Sequence, residues 1–411
     1  MRQLLARRDA RLYLTGQLFS LFGDSCLWLA MGIWVRTLTG SNAQAGLVFF
    51  FYTAPALAAP ALGLLADRVR RRPLLLAANV LTGAAVLALL AAHGRGQVWL
   101  IDAVMLAYGA SSQVIGPAQS ALLTVMVPAE LLPDANAALR TVQDGLRLVA
   151  PLAGAGLYVA VGPHAVAVID AATFAFPVAS LLALRVREPA PQPAPGRWAS
   201  QVAAGVRHIW RLAELRQAVI AAASTTMVFG FAETTIYAIT TDGLHRPAAF
   251  IGILGAVQGV GAVGGGLTAA SLVRRLGERR VIGLAMLVAA AGIALTILPL
   301  LAPVIAGLAL FGGALPWLVI GLITLAQRLT PPHLHGRVYA AAEVLITTPQ
   351  TISIAVGAAL IAVVDYQVLL AAMTAAFTLA ATYLLTRPGH RDTAPARPQP
   401  DAASVTQAPA P

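Results

Sequence analysis

The sequence predicts an all-α membrane protein with twelve transmembrane helices arranged as two pseudo-symmetric six-helix bundles. The 411 residues are 58% hydrophobic and 11% charged, and their mean hydropathy is +0.76. This composition is too apolar for a soluble domain of such length. Twelve apolar stretches of about 20 residues follow one another, and each is long enough to cross ~30 Å of hydrocarbon as a helix. The basic residues between the stretches lie almost entirely on one side.

The predicted spans alternate in direction, and their even number brings both termini to one face. They cover residues 12–36, 44–66, 73–92, 98–127, 136–161, 164–184, 215–240, 250–272, 280–299, 302–325, 337–364 and 366–385. We expect an N-terminal bundle at 1–184, a cytoplasmic linker at 185–215, a C-terminal bundle at 216–386 and a disordered Pro/Ala-rich tail at 387–411. Within the linker, apolar residues at helical spacing predict a helix along the membrane surface: Trp198, Val202, Val206, Ile209 and Trp210.

The charge distribution predicts an orientation. All 28 basic residues are arginine, and only Arg36, Arg95 and Arg246 fall on the face opposite the termini. Because basic loops stay in the cytoplasm, we expect cytoplasmic termini in the inner membrane of a bacterium. The net charge of +11 then reflects topology and contact with anionic membrane lipid, and we expect no nucleic acid partner. The single cysteine, Cys26, excludes an intrachain disulfide and a cysteine-based metal site. We expect no cofactor and no metal.

Two related segments occur at equivalent places in the two halves. Gly63 to Arg72 (GLLADRVRRR) follows the second span, and Gly266 to Arg275 (GLTAASLVRR) follows the eighth. Matching bundles are the layout of transporters whose substrate cavity lies between two repeats. The first segment resembles the signature loop of the major facilitator superfamily, which joins the second and third helices.

Six further motifs carry a closer resemblance: Gly23-Asp24-Ser25, Leu38 to Ser41, Ala45 to Leu47, Val127 to Glu130, Asp134 to Asn136 and His335 to Val338. They resemble the branch of that superfamily that contains the enterobactin exporter and bacterial macrolide-efflux permeases. The resemblance covers residues 8–386 and implies a monomeric secondary transporter that exports lipophilic small molecules or drugs against inward proton flow. Export of a dedicated metabolite such as a siderophore, and uptake, are alternatives. A membrane enzyme or a non-transporting membrane protein belongs to a different class, and no nucleophile–base cluster favours an enzyme.

The signature loop supplies candidate gating residues. In the family its aspartate is thought to hold the two halves together at the cytoplasmic end, and the resemblance carries this role to Asp67, with Gly63, Arg68, Arg71 and Arg72 around it. A carboxylate near the N-terminus of the eleventh span gains from the helix dipole. The alternative is that Asp67 only neutralises part of the arginine cluster.

The fifth span carries a second family motif. Pro151, Gly154 and Gly156 resemble the helix-bend motif of drug–proton antiporters, in which glycine and proline let the helix bend and pack. Ala150 stands where that motif has a glycine before the proline. A glycine pattern in the eighth span, Gly259 to Gly264, matches the dinucleotide fingerprint only formally. It lies inside an apolar helix, where its glycines predict close helix packing.

Carboxyl groups within the spans are the proton-coupling candidates, because burying them is costly. Asp24 lies about 12 residues into the first span, hence ~18 Å deep at 1.5 Å per residue, and Glu233 has a similar depth in the seventh. Both are expected to line the cavity from opposite halves, with Glu343 as a further candidate. A structural hydrogen bond to a neighbouring helix is the alternative. We expect Asp102 and Asp170 near outer helix ends, where water reaches them.

The first and seventh spans are also rich in large apolar side chains. Those that face inward would line an apolar chamber with few carboxyl groups, which suits bulky lipophilic or cationic compounds. The alternative is that many of them face lipid. They are Phe19, Phe22, Trp28, Met227, Phe229, Phe231 and Tyr237.

Overall fold

The computed structural model describes residues 6–59, 69–128, 131–186, 188, 198–330 and 335–386. Of the predicted gating residues, Gly63, Asp67 and Arg68 lie outside these ranges. The first half contains six helices. They are α1 (Arg8–Thr39), α2 (Asn42–Thr53, continued by a 3-10 turn at Ala54–Ala58), α3 (Arg71–Leu87, continued at Ala88–Ala91), α4 (Val98–Met126), α5 (132–161) and α6 (163–183).

A short helix and six further spans follow. They are α7 (Trp198–Arg211), α8 (Ala213–Ala238, continued by a π turn at Ile239–Gly243), α9 (Ile251–Leu276), α10 (Glu278–Thr296), α11 (Leu301–Leu329), α12 (His335–Leu360) and α13 (Tyr366–Thr386). Within the described ranges the secondary structure is helical, without strands.

The prediction of twelve spans is confirmed. By length and composition, ten helices among the described residues are able to cross a membrane. One of the ten, Leu152–Ala183, runs across the break between α5 and α6 and therefore contains parts of two spans. The twelfth span is α2, which the described residues follow only to residue 59. The break between α5 and α6 falls at Gly162, whose φ of 81° and ψ of 167° are not helical. Such a backbone favours glycine, because a side chain there would be strained.

Local sequence explains several helix ends. Gly40 ends α1 in the left-handed region, with φ of 71°, and Ser41 then caps α2 by accepting a hydrogen bond from the backbone N–H of Gln44 at 3.3 Å. At the other face, the guanidinium of Arg279 donates to the carbonyl of Leu384 at the end of α13. These bonds use backbone groups that the helix itself leaves unpaired.

Each half has its own apolar core. Large clusters fill the first half around Met31 and Met105 and the second half around Met286 and Phe377. A smaller cluster joins the halves, with Ile33 and Phe49 from the first, and Tyr237 and Ile354 from the second.

The linker helix α7 packs on protein. Its Ile209 is fully buried with Leu215, Val219, Val338 and Ala341, which belong to α8 and α12. The helix therefore contacts the second half at the end where the arginines lie.

Candidate functional site

Asp24 is held by a tyrosine from another helix. It lies on α1 and is partly buried, and the phenolic O–H of Tyr108 on α4 donates to its Oδ1. Tyr108 is 8% exposed, and its ring lies 6.0 Å from that of Tyr52 on α2. Because the phenol is a neutral donor, it orients the Asp24 carboxyl without neutralising its charge.

Asp170 lies beside this group, and the expectation that water reaches it is wrong. Asp170 on α6 is only 1% exposed, and among the described residues neither carboxylate oxygen has a hydrogen-bond partner. A side chain on Gly23 would lie 2.7 Å from its Oδ1. The acid therefore contacts α1 directly beside Asp24, and the two carboxyl groups interact electrostatically. Asp102 is partly exposed, although its Oδ1 is buried.

The second half contributes a separate carboxyl group. Glu233 on α8 is partly buried and interacts electrostatically with Tyr237, one helical turn away. Glu343 on α12 is exposed, and the hydroxyl of Thr347 donates to it at 3.4 Å. Asp24 and Glu233 thus interact with different partners, Tyr108 and Tyr237, each within the same half as the acid.

The halves meet where small residues lie against large ones. Tyr237 of α8 lies against Gly32 of α1, and Thr234 of α8 lies against Gly46 of α2. At both glycines a Cβ atom would overlap the opposing side chain. Close contact between α8 and the first half therefore depends on the missing side chains.

A polar network joins the halves at the end of α1 opposite the arginine-rich loops. Arg36 donates to Asn42 at 2.6 Å and to Thr241 at 3.1 Å, and its guanidinium lies 3.5 Å from the carboxylate of Asp242. Asn42 also donates to Asp242 at 2.7 Å. Arg95 extends the network by donating to the carbonyl of Thr39. Two of the three arginines on this face, Arg36 and Arg95, therefore take part in it.

At the arginine-rich face, Arg71 and Arg72 have structural contacts. Their backbone N–H groups donate to the carboxylate of Glu188 at 2.8 and 2.7 Å. The guanidinium of Arg72 donates to the carbonyl of Leu182 at 2.9 Å. Glu188 thereby caps the N-terminus of α3, where a negative charge is favoured, and ties the start of the linker to the first half.

The glycine motifs serve helix packing. A Cβ on Gly154 of α5 would lie 2.9 Å from the carbonyl oxygen of Cys26 on α1, whereas one on Gly156 would meet nothing within 4 Å. The helix containing Pro151 is described, although its side chain is not. In α9, Gly261 of the predicted pattern lies against the backbone of α11 at Ala309, whereas a Cβ on Gly264 would meet nothing within 4 Å. Gly265, just after the pattern, lies against Gly313.

Several of the predicted chamber residues stack on other aromatic rings. Phe19 lies 4.3 Å from Phe176, and Phe229 lies 6.1 Å from Phe311, each within its own half. Phe19 and Met227 are both 42% exposed, whereas Tyr237 is 1% exposed. Tyr237 therefore belongs to the contact between halves.

Twelve helical spans in two halves, with a carboxyl group inside each half, define a multi-pass membrane transporter of the two-bundle type. The model of the Major Facilitator Superfamily matches residues 13–343 and 234–409. The chain belongs to this superfamily, as the signature loop indicated.

Relatives and solved structures agree with this assignment. Macrolide efflux protein A of Streptococcus pyogenes is 27% identical over 158 residues, which are 38% of this chain and 39% of that protein. A bacterial homologue of the iron transporter ferroportin, in its inward-facing state, has a TM-score of 0.71 at 18% identity and covers 92% of this chain and 98% of its own. The nucleoside transporter NupG has a TM-score of 0.69 at 15% identity, over 91% and 99%. These structures show the fold.

Proposed function

We propose that the protein is a proton-coupled exporter of lipophilic small molecules or drugs that works by alternating access. One observation carries this proposal: each half places a partly buried carboxyl group within a span, Asp24 in α1 and Glu233 in α8. Burial in an apolar surrounding disfavours the charged form of a carboxyl group, so such a group readily takes up a proton. The similarity to macrolide efflux protein A supports export and a drug-like substrate.

The location follows from the same proposal. The chain resides in the inner membrane of a bacterium, with both termini and the linker in the cytoplasm. The arginine asymmetry supports this orientation. Export then requires that protons enter from the Arg36 face while substrate leaves through it. Asp67 acts as the cytoplasmic latch between the halves, and the protein works as a monomer in contact with membrane lipid.

The test uses purified protein in vesicles that contain a pH-sensitive dye. Addition of a macrolide or a lipophilic cation should move protons in the direction opposite to substrate. Asp24→Asn or Glu233→Gln should abolish gradient-driven transport and leave downhill exchange of substrate largely intact, because an amide mimics the protonated carboxyl permanently.

Asp365→Asn is the matched control. Asp365 is an exposed acid whose carboxylate accepts from the N–H of Gln367, and asparagine preserves that helix cap. It should transport like the wild type. If both intramembrane amide variants remain fully coupled, the proton site lies elsewhere. If no compound is transported, a dedicated metabolite becomes the better hypothesis.

A further inference from the structure

Asp170 is a buried acid to which the transport proposal gives no role. It is 99% buried, and among the described residues its two carboxylate oxygens have no hydrogen-bond partner. A carboxylate without donors in an apolar interior is strongly disfavoured. Its position therefore requires that a proton or a cation be supplied to it.

The residues packed around Asp170 place it close to Asp24. Its side chain packs against Gly23 of α1, where any side chain would overlap it, and Thr173 lies against the same glycine. Gly23 immediately precedes Asp24. The absence of a side chain at position 23 thus lets an acid from α6 come within electrostatic range of an acid from α1.

Among the described residues, the titratable groups found to interact with the pair carry no positive charge. From α1, the thiol of Cys26 interacts with Asp170; from α4, Tyr108 interacts with both acids; and from α2, Tyr52 interacts with Asp24. Helix α3 contacts α6 through Gly83, which lies against Phe174. Within the described part of the chain, every titratable group found to interact with the pair is therefore an acid, a phenol or a thiol.

We propose that Asp24 and Asp170 form a single proton-binding site that retains one proton and exchanges a second. Two buried carboxyl groups that interact electrostatically in an apolar site do not readily both ionise, because the second negative charge is repelled by the first. The pair then alternates between no net charge, with two protons, and one negative charge, with one proton. The exchanged proton goes to water or arrives from it, and no bond other than O–H changes.

The use of this pair in transport rests on the proposed function, whereas the shared proton does not. The inference gives Asp170 a role in holding that proton. Tyr108 donates to Oδ1 of Asp24, which fixes that carboxyl group and leaves the retained proton to Asp170. Asp170 is thus a positioning residue. It acts through Asp24 by keeping the pair at no more than one negative charge, which is the charge that the first half presents to substrate.

Infrared difference spectroscopy of the purified protein tests the inference without transport. The stretching band of protonated carboxyl groups is followed from acid to alkaline pH, in a Glu233→Gln background that removes the other deep acid. We expect one protonated carboxyl to persist at alkaline pH. This signal should disappear in Asp170→Asn. In Asp24→Asn it should remain near neutral pH but be lost at a lower pH than in the background variant, because burial still favours protonated Asp170 while the repulsion by Asp24 is gone. The lower pH of loss is diagnostic, because burial of Asp170 alone would leave that pH unchanged.

Asp102→Asn serves as the control and should keep the persistent signal. If Asp170→Asn does not fold, Asp24→Asn alone decides the question. A band that is lost at the same pH in Asp24→Asn as in the background variant would overturn the inference, as would a band that depends on sodium ions, since the pair would then bind a cation. Failure of transport together with this shift of the band in Asp24→Asn would reject only the proposed function. Coupled transport with an unaffected band would reject only the pair.

Discussion

The contact between Gly32 and Tyr237 predicts that one methyl group shifts the balance between transporter conformations. A Cβ atom at position 32 would overlap the hydroxyl of Tyr237 and lie 2.7 Å from its Cζ and 2.9 Å from Cζ of Phe49. Tyr237 is 1% exposed and therefore has little room to move. We expect Gly32→Ala to disfavour the conformation in which the halves touch at this point.

The magnitude follows from the cost of overpacking. An extra methyl group in a filled interior costs about 1–3 kcal/mol, which changes the ratio of the two conformations by about 5- to 150-fold. Alanine also favours the helix over glycine, but α1 is helical in both conformations, so this gain of about 1 kcal/mol cancels.

Tyr237→Phe provides a second arm. Among the described residues the Tyr237 hydroxyl has no hydrogen-bond partner, and an unpaired buried hydroxyl costs about 1–3 kcal/mol. Tyr237→Phe should therefore favour the touching conformation. Combined with Gly32→Ala, it should offset part of the cost, since the atom of closest overlap is removed while Cζ and Phe49 remain.

Spin labels on both halves at the Arg36 face report the result. Gly96→Cys and Val363→Cys place them at exposed positions, with Val363 81% exposed. Gly32→Ala should increase the population with a long distance between labels. Gly156→Ala is the matched control, because its new methyl group meets nothing within 4 Å. Unchanged distances in folded Gly32→Ala protein, or equal changes in both variants, would refute the reasoning.

Three further predictions concern topology and the two faces. A cysteine introduced at Gly96 should react with a membrane-impermeant reagent from outside the cell, and a cysteine introduced at Val69 should not. The reverse pattern would contradict cytoplasmic termini. Asp67→Asn should shift the resting population toward the inward-facing conformation by about 1–2 kcal/mol, because charge–dipole attraction is lost. Unchanged label distances across the arginine-rich face, with normal transport, would mean that Asp67 only neutralises part of the arginine charge. Arg36→Gln should weaken the contact between the halves at the Arg36 face by about 1 kcal/mol or less, since Asp242 is 49% exposed. Label distances should then depend less on salt than in the wild type. An unchanged salt dependence would exclude a role for the pair.

The spans could be predicted because each is a long apolar run, and the break at Gly162 because glycine and proline follow each other there. The place of Asp24 in the middle of α1 was also readable by counting residues along the helix. Its partner was not, since the bond from Tyr108 depends on how α1 and α4 rotate toward each other, and one sequence does not fix that rotation.

Asp170 was misjudged for a related reason. Counting from the end of α6 placed it near water, but its exposure is decided by the neighbouring α1, where Gly23 leaves room for it. The signal in the sequence was a glycine directly before an intramembrane acid, together with a second acid in an apolar run. Neither is informative until the two helices are known to be neighbours.

The burial of Cys26 has a practical consequence for measurement. This sole cysteine is 2% exposed, beneath the close approach of Gly154. Thiol reagents should therefore spare the native chain, and engineered cysteines can be introduced without first replacing it. Conversely, the rate at which Cys26 itself is modified measures how often α1 separates from α5. This measurement needs no substitution, and it is sensitive to opening events too rare for distance measurements to detect.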